Sequence, residues 1–313
     1  VKQEMNTEQE VLYKGWGKAI GLIGFIVMAA AMGLLLWSGQ TDIRYTADHE
    51  GTIPVWNIWI PSLVCIMLIR MIPMHIPGYN PFEKFTKEQL KIPAILLLSG
   101  AILFPIALLL VVHKNPSFQL WYVGIKLTLL FILPWIVIRN YRSKTIRSVD
   151  LERPASLIRW MWLSPLFVAG VWMYLSYFSV FSPPPTASKI TDPSLFIIIL
   201  LFGFLINSLL EELFYRVWLQ TRLEKLIGAW PAIFLTAILW AVWHITIQGT
   251  GQWSTDIVAV ICNQGITGIF LGYLWFRFRN VWVLILIHGI INAPPHLLLE
   301  LMAMCVRNFS LIS

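Results

Sequence analysis

The sequence predicts an all-α fold, a polytopic transmembrane helical bundle of about eight to nine spans. Three observations carry that expectation. Of 313 residues, 58% are hydrophobic and only 12% are charged, whereas soluble domains sit nearer a quarter charged. Apolar runs of about 20 residues, the length a helix needs to cross a hydrocarbon core, recur along the whole chain. Tryptophans flank several of those runs, Trp16, Trp37, Trp160 and Trp282 among them, where an interfacial belt would lie.

Hydropathy places the spans at about 17–37, 53–72, 92–112, 119–138, 160–181, 194–216, 231–247, 256–276 and 281–305. The first run has no convincing cleavage site after it and reads as a retained helix rather than a signal peptide. Between the second and third, Pro77–Lys91 carries Phe82, Phe85 and Leu90 among charges, the pattern of an interfacial helix. The fourth holds Lys126, the one cation within a span, which reads as snorkelling or pairing structurally. The sixth continues with a polar end to about Leu226, then turns near Gly228-Ala229-Trp230-Pro231 into the seventh, an antiparallel hairpin. Gly265, Gly268 and Gly272 give the eighth a small-residue face that permits close helix approach. The ninth is broken by Pro294-Pro295, which have no N–H for the turn before them, so a kink is expected just beyond Asn292.

There is no internal repeat. The basic loop Arg139–Arg159 and the extended Ser182-Pro183-Pro184-Pro185-Thr186 stretch divide the chain. Residues 1–159 are expected to form N-terminal accessory helices, 160–193 a connecting helix and external loop, and 194–306 a helical core that holds the candidate chemistry set out below.

Lys and Arg counts set the orientation. With the N-terminus cytoplasmic, inside segments hold 18 basic residues and outside segments hold 4, namely Arg44, Lys114, Lys189 and Arg307. The expected location is the cell membrane, with the lipid bilayer as the surrounding partner. The net charge of +7 follows this loop pattern and does not point to nucleic acid. Cys65, Cys262 and Cys305 lie in apolar surroundings without paired or metal-finger spacing and read as buried small hydrophobes.

Chemistry concentrates late in the chain. Glu211-Glu212-Leu213-Phe214-Tyr215-Arg216 places three charges within six residues, directly after the apolar run Ser194–Leu210. Each costs roughly 2.5–3.5 kcal/mol near a bilayer centre on insertion scales, so ionisable residues kept there usually pair, face a cavity and work. Glu212 and Arg216 are spaced i,i+4 and can pair, which would leave Glu211 free to act as a base. Asn207, Glu211 and Tyr215 form a second i,i+4 stripe. Glu211 lies 17 residues before Gly228 and His244 lies 16 after it, so an α-helical hairpin would set them at one depth, able to hold a water between them. His288 and Asn292, again i,i+4, project from one face of the ninth span at a comparable depth. Carboxylates and two histidines on three helices point to hydrolysis. Two histidines and a glutamate could also make an open zinc site, with Glu211, His244 and His288 as ligands, although no H-E-x-x-H spacing is present.

These residues resemble the CPBP intramembrane proteases, the Abi or CAAX-protease family that includes type II CAAX prenyl endopeptidases and bacteriocin self-immunity proteins. The family's E-E-x-x-x-R motif matches at Glu211, Glu212 and Arg216, and its H-x-x-x-N motif at His288 and Asn292. Its F-x-x-x-H motif matches at His244, with Trp240 in place of the usual phenylalanine. The stretch Gly268–Leu274 is similar to the family's linking helix, and the resemblance spans roughly 194–295. It implies an intramembrane endopeptidase that cleaves a membrane-associated protein or peptide at a cytoplasm-facing site. Glu211 and His244 would activate water, His288 and Asn292 would stabilise the oxyanion, and Glu212 and Arg216 would support Glu211. It implies no cofactor beyond the zinc alternative, and leaves glutamate and metal mechanisms both open.

Two other classes compete. A non-enzymatic adaptor or immunity-type protein could retain the fold, but often loses a catalytic position, and none is lost here. A proton-coupled transporter would show inverted repeats or symmetric broken helices, and the sequence has neither. The remaining histidines, His49, His75, His113 and His296, read mainly as structural.

Overall fold

The computed structural model describes residues 2–47, 50–72, 81–82, 85–112, 117–141, 155–185 and 190–310. His49, His75, His113, Lys114, Lys189, most of the 139–159 loop and the start of the Pro77–Lys91 segment lie outside them. The described chain is almost entirely helical. Helix α1 runs Lys2–Ser38. A small antiparallel hairpin follows, β1 (Asp42–Arg44) against β2 (Thr52–Pro54), in register at Ile43 and Ile53. Then come α2 (Trp56–Met71), α3 (Lys87–Val112), α4 (Phe118–Asn140), α5 (Ala155–Tyr177), α6 (Pro193–Ile227), α7 (Ala229–Gln248), α8 (Trp253–Phe278), α9 (Val281–Asn292) and α10 (Pro295–Ser310).

All nine apolar runs fall in helices. Six are long and apolar enough to cross a membrane, or seven if the bent pair α9–α10 counts as one span, while α2 is apolar but only 16 residues long. The chain is a multi-pass membrane protein. Its surface is correspondingly apolar: Leu22, Ile23, Phe25 and Ile26 on α1, and Ile95, Ile102 and Ile106 on α3, are exposed, as are Trp16, Trp37, Trp160 and Trp282 at the ends of their runs.

Local chemistry explains the boundaries. Helix α3 starts at Lys87, where Thr86 and Gln89 form a reciprocal capping box. Asp192 accepts from Ser194 N at the start of α6, with Pro193 in the first turn. Arg279 stops α8 in the left-handed conformation (φ 49°), and the Asn280 side chain caps α9 through Trp282 N and Val283 N. The proline pair bends the chain by 70° between α9 and α10, as the missing N–H groups require. The β-hairpin was not expected; it closes on its two inward isoleucines, and both are buried. Cys65 and Cys262 are buried and free, while Cys305 is only half-buried.

Helix α8 is the central post, and its small-residue face does what the spacing predicts. A Cβ on Gly268 would stand 3.0 Å from the Ala237 Cβ, and one on Gly272 would stand 2.9 Å from Gln220 Oε1. At the α6–α7 turn, Arg222 and Glu224 are buried. Glu224 pairs with Arg279, Gln220 Nε2 donates to Glu224 Oε1 at 2.9 Å, and Arg222 lies over the Phe82 ring. Charges that would have needed water are satisfied inside the bundle instead.

Helix α1 docks on this hairpin through glycines. A Cβ on Gly17 would fall 2.2 Å from the Ile227 carbonyl oxygen, and one on Gly24 would fall 2.6 Å from the Phe234 Cβ; around Gly33 the space is open. Forced overpacking typically costs about 1–3 kcal/mol. Gly17→Ala and Gly24→Ala should each lower the thermal unfolding midpoint in detergent, whereas Gly33→Ala should leave it unchanged or raise it. Equal midpoints for all three would show that α1 is not held by this close approach.

Candidate active site

Two π-helical stretches, Phe204–Leu209 and Glu212–Gln220, flank Glu211 on α6. Such i→i+5 turns break the α register and recur at functional sites. They also advance less per residue than α turns, which brings Glu211 nearer to the Gly228 end than 17 α-helical residues would. The neighbour that meets Glu211 across the hairpin is therefore Trp240, one turn before His244. The Trp240 indole Nε1–H donates to Glu211 Oε2 at 2.5 Å.

The other oxygen is also engaged. Lys126 Nζ, from α4, lies 2.5 Å from Glu211 Oε1. Glu211 does not stand free, as the Glu212–Arg216 pairing had suggested; it has its own cation. Asn207 and Glu211 share that cation, Asn207 Oδ1 accepting from Nζ at 2.7 Å, so two members of the expected stripe meet one ammonium. Tyr215, the third member, is fully buried and its hydroxyl has no hydrogen-bond partner among the described residues.

His288 bridges the two glutamates. Its Nδ1 is 2.8 Å from Glu212 Oε1, and its Nε2 is 4.0 Å from Glu211 Oε2. His244 makes a hydrogen bond from Nδ1 to the Trp240 carbonyl at 2.8 Å. A carbonyl can only accept, so Nδ1 carries the proton and Nε2 keeps its lone pair. The Trp240 ring stands edge-on to both histidines, with centroids 5.1 Å from His244 and 5.5 Å from His288. Asn292 reaches back to α6, its Nδ2 donating to Ser208 Oγ at 2.9 Å. His296 lies on α10 past the bend and takes no part in these bonds.

Arg216 is the loosest member. Its Nε is 3.6 Å from Glu212 Oε2, beyond hydrogen-bond distance, because the π turn shifts the i,i+4 alignment. It donates weakly to the Gly268 carbonyl at 3.5 Å and places its guanidinium 5.0 Å from the Trp240 ring centroid, within cation–π range.

The zinc alternative does not fit this donor set. Among the described residues no three His, Cys, Asp or Glu side chains are arranged to hold a metal ion. Glu211 Oε1 accepts from the Lys126 ammonium and Oε2 from the Trp240 indole N–H, and a cation beside the carboxylate disfavours a metal ion there.

Three helices thus bring Glu211, Glu212, Arg216, His244 and His288 into one buried polar cluster, with half-buried Asn292 bonded to Ser208, and α4 adds Lys126 and Tyr122, which the motifs did not include. Residues 193–294 match the family model described as type II CAAX prenyl endopeptidase Rce1-like. The chain carries an Rce1-like domain. The match covers α6 to the end of α9, a third of the chain, and supports a CAAX-type intramembrane protease at the family level. No curated protein and no solved structure matches the chain.

The cluster makes Arg216 energetically testable. Removing one member of a buried charge pair typically costs about 3–5 kcal/mol, while neutralising both is far milder. Arg216→Ala should lower the unfolding midpoint markedly, and the double variant Glu212→Gln, Arg216→Gln should recover most of the loss in a thermal unfolding assay. A double variant as unstable as the single would assign the stability to the Gly268 and Trp240 contacts instead.

Proposed function

We propose that the protein is an intramembrane endopeptidase that hydrolyses a peptide bond of a membrane-associated protein or peptide at a cytoplasm-facing site. One observation carries this reading: His288 lies between Glu211 and Glu212, and Trp240, from the second motif, is bonded to Glu211. The three motifs meet at one carboxylate.

In the proposed reaction, Glu211 takes a proton from water as the oxygen adds to the scissile carbonyl carbon. His244, held in the Nδ1–H tautomer by the Trp240 carbonyl, offers Nε2 as the second acceptor that orients the water. Asn292 Nδ2 donates to the oxyanion that develops, and His288, with Nδ1–H held by Glu212, donates from Nε2 when it carries its second proton. Glu211 then returns the proton to the departing amine as the C–N bond breaks. Glu212 orients His288 through Nδ1, and Arg216 supports Glu212. The core that performs this is 194–306, with 1–159 and 160–193 as the accessory and connecting parts. The Lys and Arg distribution supports a cytoplasmic N-terminus and a cell-membrane location.

Comparing membrane peptides from cells with active protein and with Glu211→Gln should reveal a substrate. On it, purified Glu211→Gln and His244→Ala should lose cleavage by at least about 10²-fold while still inserting and purifying normally. Cleavage by wild type should survive exhaustive chelation. Near-wild-type turnover in either variant would refute the water-activating pair, and chelator-sensitive, zinc-restorable cleavage would restore the metal reading.

Topology is tested separately. Single cysteines placed in the 139–159 loop and next to Gly228 should label from the cytoplasmic side, and cysteines at 182–189 from the outside. The inverse pattern would put the site on the opposite face.

A further inference from the structure

Lys126 belongs to α4, outside the matched segment 193–294, yet it is bonded to the glutamate on which the proposed chemistry rests. Its surroundings are complete. Nζ lies 2.5 Å from Glu211 Oε1, 2.6 Å from the Tyr122 hydroxyl and 2.7 Å from Asn207 Oδ1. That supplies three acceptors for three ammonium protons. The rings of Tyr122 and Trp243 each lie 4.8 Å from Nζ, their faces adding to the stabilisation of the cation. The side chain is fully buried, and Glu211 is 1% exposed.

The consequence concerns the charge state of the base. A carboxyl group among apolar helices without a cation neutralises itself by keeping its proton. A protonated Glu211 cannot take a proton from water. Arg216 does not fill the role, since it stands beside Glu212 and the Trp240 ring, and His288 gives Nδ1 to Glu212 and keeps Nε2 at 4.0 Å from Glu211. We propose that Lys126 is a positioning residue for the reaction, holding Glu211 as the carboxylate and, with Trp240 on the other oxygen, fixing its orientation toward His288. The accessory helices then supply part of the site. This role rests on the proteolytic reading, but the charge state it predicts can be measured without a substrate.

The experiment uses full-length protein carrying ¹³C-labelled glutamate, examined by infrared difference spectroscopy at neutral pH. Wild type minus Glu211→Gln should show loss of an ionised carboxylate band. Lys126→Met minus Lys126→Met, Glu211→Gln should show loss of a protonated carboxyl band instead. On the substrate found above, Lys126→Met should lower kcat on the order of 10²-fold with KM unchanged, and Lys126→Arg should restore most of it. If Lys126→Met does not fold, Lys126→Gln, neutral but able to donate to Asn207, is read the same way. An ionised Glu211 in the neutral variant, or a kcat within about twofold of wild type, would overturn the proposal. Expected spectra in a wild-type protein that cleaves nothing would leave the charge-holding role standing and sink the proteolytic reading.

Discussion

The cost of burying charge among apolar helices governs this structure more than any single packing contact. An unpaired charge inside the bundle carries a penalty of several kilocalories per mole, while a pair with good geometry and filled hydrogen bonds recovers much of it. Helix α6 carries Glu211, Glu212 and Glu224, and each is met by a side chain from another helix: Lys126 from α4, His288 from α9, and Arg279 from the end of α8. Sliding any of those helices by one residue would orphan a charge. The register of four helices is therefore set by the same groups that form the candidate active site. Preorganisation of the site is a by-product of solvation.

Close backbone approach makes those short bonds reachable. The glycine face of α8 lets α7 and α6 stand near enough that Gln220 bonds to the Gly272 carbonyl at 2.8 Å. Helix α1 uses Gly17, Gly21 and Gly24 in the same way against the α6–α7 turn, so the hairpin is clamped from two sides. Between the clamps, the π-helical turns of α6 rotate Glu211 and Glu212 away from a regular α stripe. Adjacent glutamates can then address different partners, Glu211 toward α4 and α7, and Glu212 toward α9. A regular helix would also separate neighbours by about 100°, but it would not bring Asn207 and Glu211 onto one ammonium while leaving Arg216 offset from Glu212.

Much of this was legible in the residues. The charged hexapeptide, the two histidine positions, the proline bend and the glycine face each follow from local chemistry and spacing, and each is where the spacing put it. What could not be read was rotation and register. Hydropathy marks α4 as a span without saying which way Lys126 points, and 85 residues separate it from Glu211. One signal was present: the only cation embedded in a span and the only site carboxylate left without a partner are natural complements. Trp240 was legible as an aromatic substitution, but its relevant property is the N–H that phenylalanine lacks. Glu211 meets Trp240, one turn before His244, because the π-helical turns advance less per residue than the α-helical rise assumed.

This has a bearing on where the functional unit ends. The Rce1-like match begins at Pro193 and includes every motif residue, so the region before it would be set aside as accessory on sequence grounds. Across that boundary Glu211 is bonded to Lys126 of α4. Cutting the chain at that boundary would remove Lys126 and Tyr122, and would strip α1 and α3 from the Gly228 end of the hairpin. The carboxylate would then need either water or a proton, and either one changes the base. A domain defined by its motifs is thus smaller than the unit able to keep those motifs in a working charge state. For carboxylates buried among apolar helices, the surrounding helices are the solvent that sets their charge.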